Sequence, residues 1–221
     1  MIPPNRYTNI HSHHSAESGV VSIKNVHSLK TILSQPEYIS IGIHPWYINE
    51  KNLNEEIDII QKNAQNKNVL AIGECGLDKL IDTELSIQEN IFKIQLEIAQ
   101  QLQKPIIVHC VKAFDSLVRI KKAMNVNVPM IVHGFNNNEQ IAKELIKNGF
   151  YLSFGKALLQ ENSNATKAIQ LSSIDSIFLE TDDADISIKA IFEAASSLLK
   201  IEERQLVQQI YSNFKSVFKH E

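Results

Sequence analysis

Short apolar runs alternate along this chain with longer stretches in which apolar residues recur at helical spacing, a pattern that predicts parallel β/α units. The runs at Tyr7 to His11, Val20 to Val26, Tyr38 to Ile43, Val69 to Gly73, Pro105 to His109, Met130 to His133, Phe150 to Phe154 and Ser176 to Glu180 are the predicted strands. Their number suits an α/β fold of one kind, a compact (β/α)8 TIM barrel. The clearest helix carries Ile91, Ile94, Ile98, Ala99 and Leu102 on one face. Ser86-Ile-Gln-Glu89 predicts a capping box at its start, and Pro105 bounds its end. A second helix, from about Glu139, groups Ile141, Leu145 and Ile146 and stops at Lys147-Asn-Gly149, where glycine suits a left-handed cap. Two more, Ile186 to Leu199 and Glu203 to Phe218, close the chain. About two dozen residues separate His13 from Tyr38, too few for two full units. The first β/α unit is therefore shortened, with its helix predicted absent or vestigial.

No repeat, low-complexity tract or Pro/Gly/Ser-rich linker interrupts the pattern, so residues 1–221 read as one domain. A hydrophobic content of 43% suffices for a substantial core. No segment approaches the apolar length of a membrane span, and the start lacks a charged region followed by an apolar stretch. Those features predict a cytoplasmic protein with no membrane partner, and nothing implies an obligate protein partner. A net charge of -3 argues against a broad basic surface for duplex nucleic acid, while a local phosphate site stays open. The two cysteines, Cys75 and Cys110, each directly follow a candidate metal ligand and so point to the opposite strand face, as reduced packing residues.

The chemistry sits where the apolar runs end. In a barrel of parallel strands all carboxyl ends open on one face, so residues far apart in sequence can share a site there. His11 and His13 are two apart, which on a strand aims both imidazoles to one side. Imidazole suits zinc, manganese and iron. Glu74 ends a run apolar enough to be buried on both faces, and its charge needs a partner there. A lysine would serve as well as a metal for Glu74 alone. His109 and His133, both in the pattern Ile-Val-His, favour the metal. Asp182 follows the last run and can ligate a metal while accepting a proton from water; Asp183 and Asp185 are equally placed to cap the next helix. His14, His27 and His220 carry no such context.

These residues resemble the TatD-like metal-dependent deoxyribonucleases, a family of amidohydrolase-like barrels, over nearly the whole chain. Asn9-Ile-His-Ser-His13 is similar to the family's Asp-x-His-x-His, Gly42-Ile-His-Pro45 to its Gly-x-His-Pro, and Ile72 through Asp78 to its Ile-Gly-Glu-x-Gly-Leu-Asp. His109, His133-Gly-Phe135, Glu180-Thr-Asp182 and Asn213 with Phe218 complete the match. The resemblance implies two divalent metal ions, Zn, Mn, Mg or Fe, with magnesium disfavoured by the nitrogen donors. It assigns one to His11, His13, Glu74 and Asp182, the other to Glu74, His109 and His133, with Glu74 bridging. It also implies that Asp182 orients or deprotonates the attacking water and that His44 contacts a substrate phosphate or the leaving oxygen. The expected substrate is single-stranded DNA or a small phosphodiester.

Four departures bear on this reading. Asn9 stands where the family has aspartate, removing a charge beside the histidines. The family's arginine after His109 is replaced by Val111, with Lys112 one place on as the remaining phosphate-binding cation. Asp182-Asp-Ala-Asp185 adds negative charge. The shortened first unit opens the cleft. Two alternatives follow: a two-metal hydrolase of a non-phosphate substrate such as an amide or lactone, or a metal-stabilised binding protein with little catalysis.

Overall fold

The computed structural model describes residues 6–27 and 37–219. Its strands are β1 (Thr8–Ser12), β2 (Val21–His27), β3 (Tyr38–Gly42), β4 (Val69–Asp78), β5 (Ile106–Val111), β6 (Met130–Val132), β7 (Tyr151–Phe154) and β8 (Ile177–Leu179). The α-helices among the described residues are α1 (Leu53–Asn63), α2 (Leu85–Leu102), α3 (Phe114–Ala123), α4 (Glu139–Lys147), α5 (Asn164–Leu171), α6 (Ile188–Leu199) and α7 (Glu203–Phe218). The strands follow one another in a single sheet in sequence order, and β1–β2, β3–β4, β4–β5 and β7–β8 pair in parallel. Sequential parallel strands with helices between them are the topology of the (β/α)8 barrel. Among the described residues no helix separates β1 from β2, as the short spacing required. His220 lies outside the described residues.

The chain divides into two units, one of residues 6–24 and 132–219 and the other of residues 25–131 among those described. In unit one the core is aromatic. Phe178 packs on Phe218 at 5.8 Å between ring centroids, Phe218 on Phe214 at 4.9 Å, and Phe135 on Phe154 at 5.9 Å. Each such fully buried side chain contributes about 1.5–3 kcal/mol. Asn213 of α7 donates to the carbonyls of Ile174 (2.7 Å) and Ile177 (3.1 Å), which secures the start of β8. Helix α7 has the predicted bounds. Helix α6 starts at Ile188, because Ser187 caps it and Glu17 accepts from the Ile188 amide (2.8 Å) and the Ser187 hydroxyl (2.7 Å). Asp183 and Asp185 therefore do not cap it. Helix α4 is capped by Asn138 (3.0 Å to the Ile141 amide), buries Ala142 and Leu145, and is followed by Gly149 in the predicted left-handed conformation.

In unit two, β4 runs to Asp78, five residues beyond its predicted end at Gly73. Glycine there does not end the strand. It permits a register shift between Ile72 and Cys75, after which Gly76 pairs with His109 so closely that any Cβ would collide with the His109 carbonyl. Glu74 thus sits at a bulge inside β4 instead of at its end. Helix α2 also starts earlier than predicted, after Glu84, and the capping box does not form: the Ser86 hydroxyl donates to the Glu84 carboxylate (3.3 Å). Its buried face holds Ile91, Phe92, Leu96, Ile98 and Ala99 together with Gln88 and Gln95. These glutamines clamp loop backbone. Gln95 accepts from the Ile43 amide (2.7 Å) and donates to the Ile43 carbonyl (3.2 Å), while Gln88 does the same for Asp78 (2.7 and 2.9 Å). Two buried polar side chains on one helix therefore set the strand ends that carry His44 and Asp78.

Candidate metal centres

In unit one, β1 carries His11 fully buried, and His13 follows it with its ring at 5.3 Å and 90° to the first. The chain beyond β8 returns alongside β1: the Asp182 amide donates to the His11 carbonyl and the His13 amide to the Asp182 carbonyl, both at 3.0 Å. Asn9 and Thr181 lock the same junction, Asn9 Nδ2 donating to Thr181 Oγ1 (2.8 Å) and the Thr181 amide to Asn9 Oδ1 (3.1 Å). The asparagine that departs from the resemblance thus has its own use here, since one side chain both gives and takes a hydrogen bond. Asp182 then takes a left-handed backbone, φ 53°. This is an uncommon conformation for a residue with a side chain. It aims Oδ1 at both imidazoles, 3.3 Å from His11 Nε2 and 3.3 Å from His13 Nε2. Burial alone would raise the Asp182 pKa; hydrogen bonds from His11 and His13 and the charges of His133 and His11 outweigh it and hold the carboxyl well below its ordinary value.

His133, just past β6, packs against His11 with ring centroids 4.4 Å apart and the planes tilted by 48°. Its Nδ1 lies 3.3 Å from Glu180 Oε1, which also accepts from the Gly134 amide (2.7 Å). A ring that gives its Nδ1 proton to a carboxylate keeps its lone pair on Nε2, the form that ligates metal. Glu180 is fully buried, and its Oε2 has no hydrogen-bond partner among the described residues. A nearby cation would offset that charge.

Unit two repeats the theme with a different carboxylate. Glu74 Oε1 lies 3.0 Å from His44 Nε2 and 2.9 Å from His109 Nδ1. Asn25 of β2 holds the glutamate from behind, accepting from its amide (2.9 Å) and donating to Oε2 (3.3 Å), while Ser40 of β3 donates to Asn25 (3.3 Å). His44 Nδ1 accepts from the Trp46 amide (3.1 Å), so in the neutral ring Nε2 carries the proton and donates to Glu74. His44 is a donor in this arrangement. His109 faces a second carboxylate, Asp78 Oδ2, with Nε2 at 3.4 Å. A neutral imidazole has one N–H and cannot donate to both. A cation on one side resolves that conflict.

Both clusters fit a divalent metal ion. His11, His13 and Asp182 offer ligand atoms within 4.8 Å of one another, as do His44, Glu74 and His109, and with His44 acting as a donor the lone pairs of the second group come from Glu74 and His109. Ligand atoms at about 2.1 Å from a tetrahedral ion lie about 3.4 Å apart, close to the separations at Asp182 Oδ1. Mixed imidazole and carboxylate donors suit zinc, manganese or iron. Cys75 and Cys110 are free; burial raises the pKa of Cys75, helped by the Glu74 charge, and pushes Cys110 up to about 12. Neither joins a candidate ligand group among the described residues.

The sequence profile described as "TatD related DNase" matches residues 15–219. The chain belongs to this TatD-related family of metal-dependent hydrolases. The matched span starts after His11 and His13. A "Putative deoxyribonuclease TATDN1 homolog" of Enterocytozoon bieneusi is 33% identical over 193 residues, 80% of this chain and 69% of that protein. An "Uncharacterized metal-dependent hydrolase YabD" of Bacillus subtilis is 33% identical over 149 residues, covering 66% of this chain and 58% of YabD. The crystal structure of the TatD homologue YJJV of Escherichia coli superposes with a TM-score of 0.84 at 20% identity, covering 99% of both chains, which supports the barrel topology. No helix among the described residues is long and apolar enough to cross a membrane.

Within unit one the fold brings together His11, His13, His133 and Asp182 of the residues singled out in the sequence, and within unit two His44, Glu74 and His109. Lys112 is exposed just past β5 with a left-handed backbone, and among the described residues it makes no hydrogen bond or ion pair. Four contributors escaped the sequence reading. Asp78 ends the glutamate motif, which by itself gives it no role. Glu180 stands two places before Asp182 and was quoted without a role. Trp46 follows the His44-Pro45 pair. Asn25 had one usable signal: it continues the inward alternation Val21, Ile23 as a polar residue on a buried strand face.

Proposed function

We propose that this chain is a two-metal phosphodiesterase acting on single-stranded DNA ends or smaller nucleotides. The observation that carries the reading is the same in each unit: two imidazole nitrogens converge on one carboxylate oxygen, at 3.3 Å on Asp182 and at 2.9 and 3.0 Å on Glu74. In this reading His11, His13 and Asp182 hold one cation, and Glu74 with His109 holds another. Bound there, divalent ions supply Lewis acidity at a phosphoryl oxygen and lower the pKa of water.

The protein's own groups do the rest. Asp182, kept ionised, accepts the proton of the attacking water. His44 Nε2, already a donor, hydrogen-bonds the charge that develops on phosphate or leaving oxygen. Lys112 offers an exposed point charge to the strand. The acidic loop after β8 is less repulsive than its sequence suggests, because Lys156 pairs with Asp183 at 2.7 Å.

The test is hydrolysis of end-labelled single-stranded DNA by chelator-stripped protein with manganese or magnesium restored. Metal-dependent digestion that Asp182→Asn abolishes supports the reading, and no digestion by folded, metal-loaded protein overturns it. Val111 in place of the family's arginine favours a second reading, hydrolysis of a neutral ester, lactone or amide. Turnover of such a substrate without DNA digestion would select it.

A further inference from the structure

Beside the unit-two cluster stands an aromatic surface that the phosphodiesterase reading leaves without a task. Trp46 is 58% exposed and Tyr47 56% exposed, although both sit on a turn whose Pro45 is buried and whose first amide is capped by His44. Trp46 is fixed in place. Its Nε1 donates to Asp78 Oδ2 (2.7 Å), whose partner oxygen accepts from the Leu80 amide (2.8 Å), and its ring lies 5.1 Å from His44 and 5.8 Å from His109. Tyr47 lies 5.6 Å from His44 and 5.0 Å from His27. A rigidly tethered indole that keeps its face in water, with a second aromatic next to it, is a stacking platform beside reacting groups.

We infer that Trp46 and Tyr47 form a base-stacking subsite for an unpaired nucleobase flanking the phosphodiester held at Glu74 and His109. The inference rests on the phosphodiesterase reading and names what that site recognises. The charge balance points the same way. With a net charge of -3 and no arginine directly after His109, cationic side chains offer a strand few phosphate contacts, which gives stacking a part in its retention. A base within a duplex is already stacked on both faces. Only unpaired bases can use the platform.

Trp46 is the sole tryptophan, so its emission reports from the platform itself. The protein as isolated is titrated with phosphorothioate-linked hexathymidylate and with an abasic sugar–phosphate oligomer of equal charge. The subsite predicts saturable quenching by hexathymidylate and an abasic affinity weaker by about 5- to 150-fold for one stacked base. Equal affinities, or binding without any change in emission, would overturn it. Tyr47→Ala, which removes no hydrogen bond of the Asp78 network and keeps the Trp46 reporter, should move the ratio of the two affinities toward one; an unchanged ratio for this variant counts against the platform. Quenching without cleavage of the natural-linkage oligomer would retain the subsite and remove the phosphodiesterase reading, so the two fail separately.

Discussion

The two units build like clusters by unlike means. In unit one the carboxylate belongs to Asp182, partly exposed and outside any strand, and backbone hydrogen bonds to His11 and His13 place it. In unit two the carboxylate belongs to Glu74, nearly buried inside β4, and side chains place it: Asn25, Ser40, His44 and His109. Backbone placement tolerates side-chain change around the ligand. A buried polar network does not, because each removed partner leaves another group desolvated and unpaired. Unit two should therefore be the more brittle cluster in stability, and unit one the more sensitive in chemistry.

The largest effect that would break this contrast is on turnover. Asp182→Asn keeps the backbone bridge and removes the proton acceptor, and kcat should fall by about 10²–10⁴-fold with thermal stability nearly unchanged. A comparable loss of stability would show that the side chain, not the backbone, organises unit one. Next, Asn25→Ala strips Glu74 of two hydrogen bonds. It should cost about 1–3 kcal/mol in denaturant unfolding and weaken metal affinity by about 10- to 100-fold in calorimetry. Full metal affinity in that variant would mean that Glu74 is held without its asparagine.

Gly42→Ala probes the same network from β3, since a Cβ there would sit 2.9 Å from the Glu74 carbonyl and 3.0 Å from Gly73 Cα. Neither backbone neighbour can yield cheaply, and the melting temperature should drop by an amount equivalent to about 1–3 kcal/mol. Smallest is Asn9→Asp. Thr181 keeps its amide donor and can turn its hydroxyl toward the new carboxylate, so unfolding free energy should change by about 1 kcal/mol or less. A larger loss would place unit one's stability in the Asn9–Thr181 pair.

Strand order, the missing first helix and the pairing of His11 with His13 were legible because each follows from period and spacing. What escaped depends on neighbours distant in sequence. The extension of β4 past Gly73 needs β5 beside it, since Gly76 reads as a breaker until His109 is known to press against it. The capping box at Ser86 does not form because α2 already starts at Leu85 and the box's far member, Glu89, accepts from Arg119 (2.6 Å). Helices α1, α3 and α5 were passed over, although Phe114, Leu117, Val118 and Ile120 form a buried stripe in α3. Glu180 and Asn25 act through a histidine and a glutamate, and support of that kind leaves no spacing to read.

The measurement that tests the central claim most directly is metal stoichiometry. Chelator-stripped protein is titrated with manganese or zinc and the bound ion counted by mass spectrometry, in wild type, in a His11→Ala/His13→Ala variant and in His109→Ala. Two clusters, one in each unit, predict two equivalents in wild type and one retained in each folded variant. A single equivalent in wild type, lost altogether from either variant, would contradict the account.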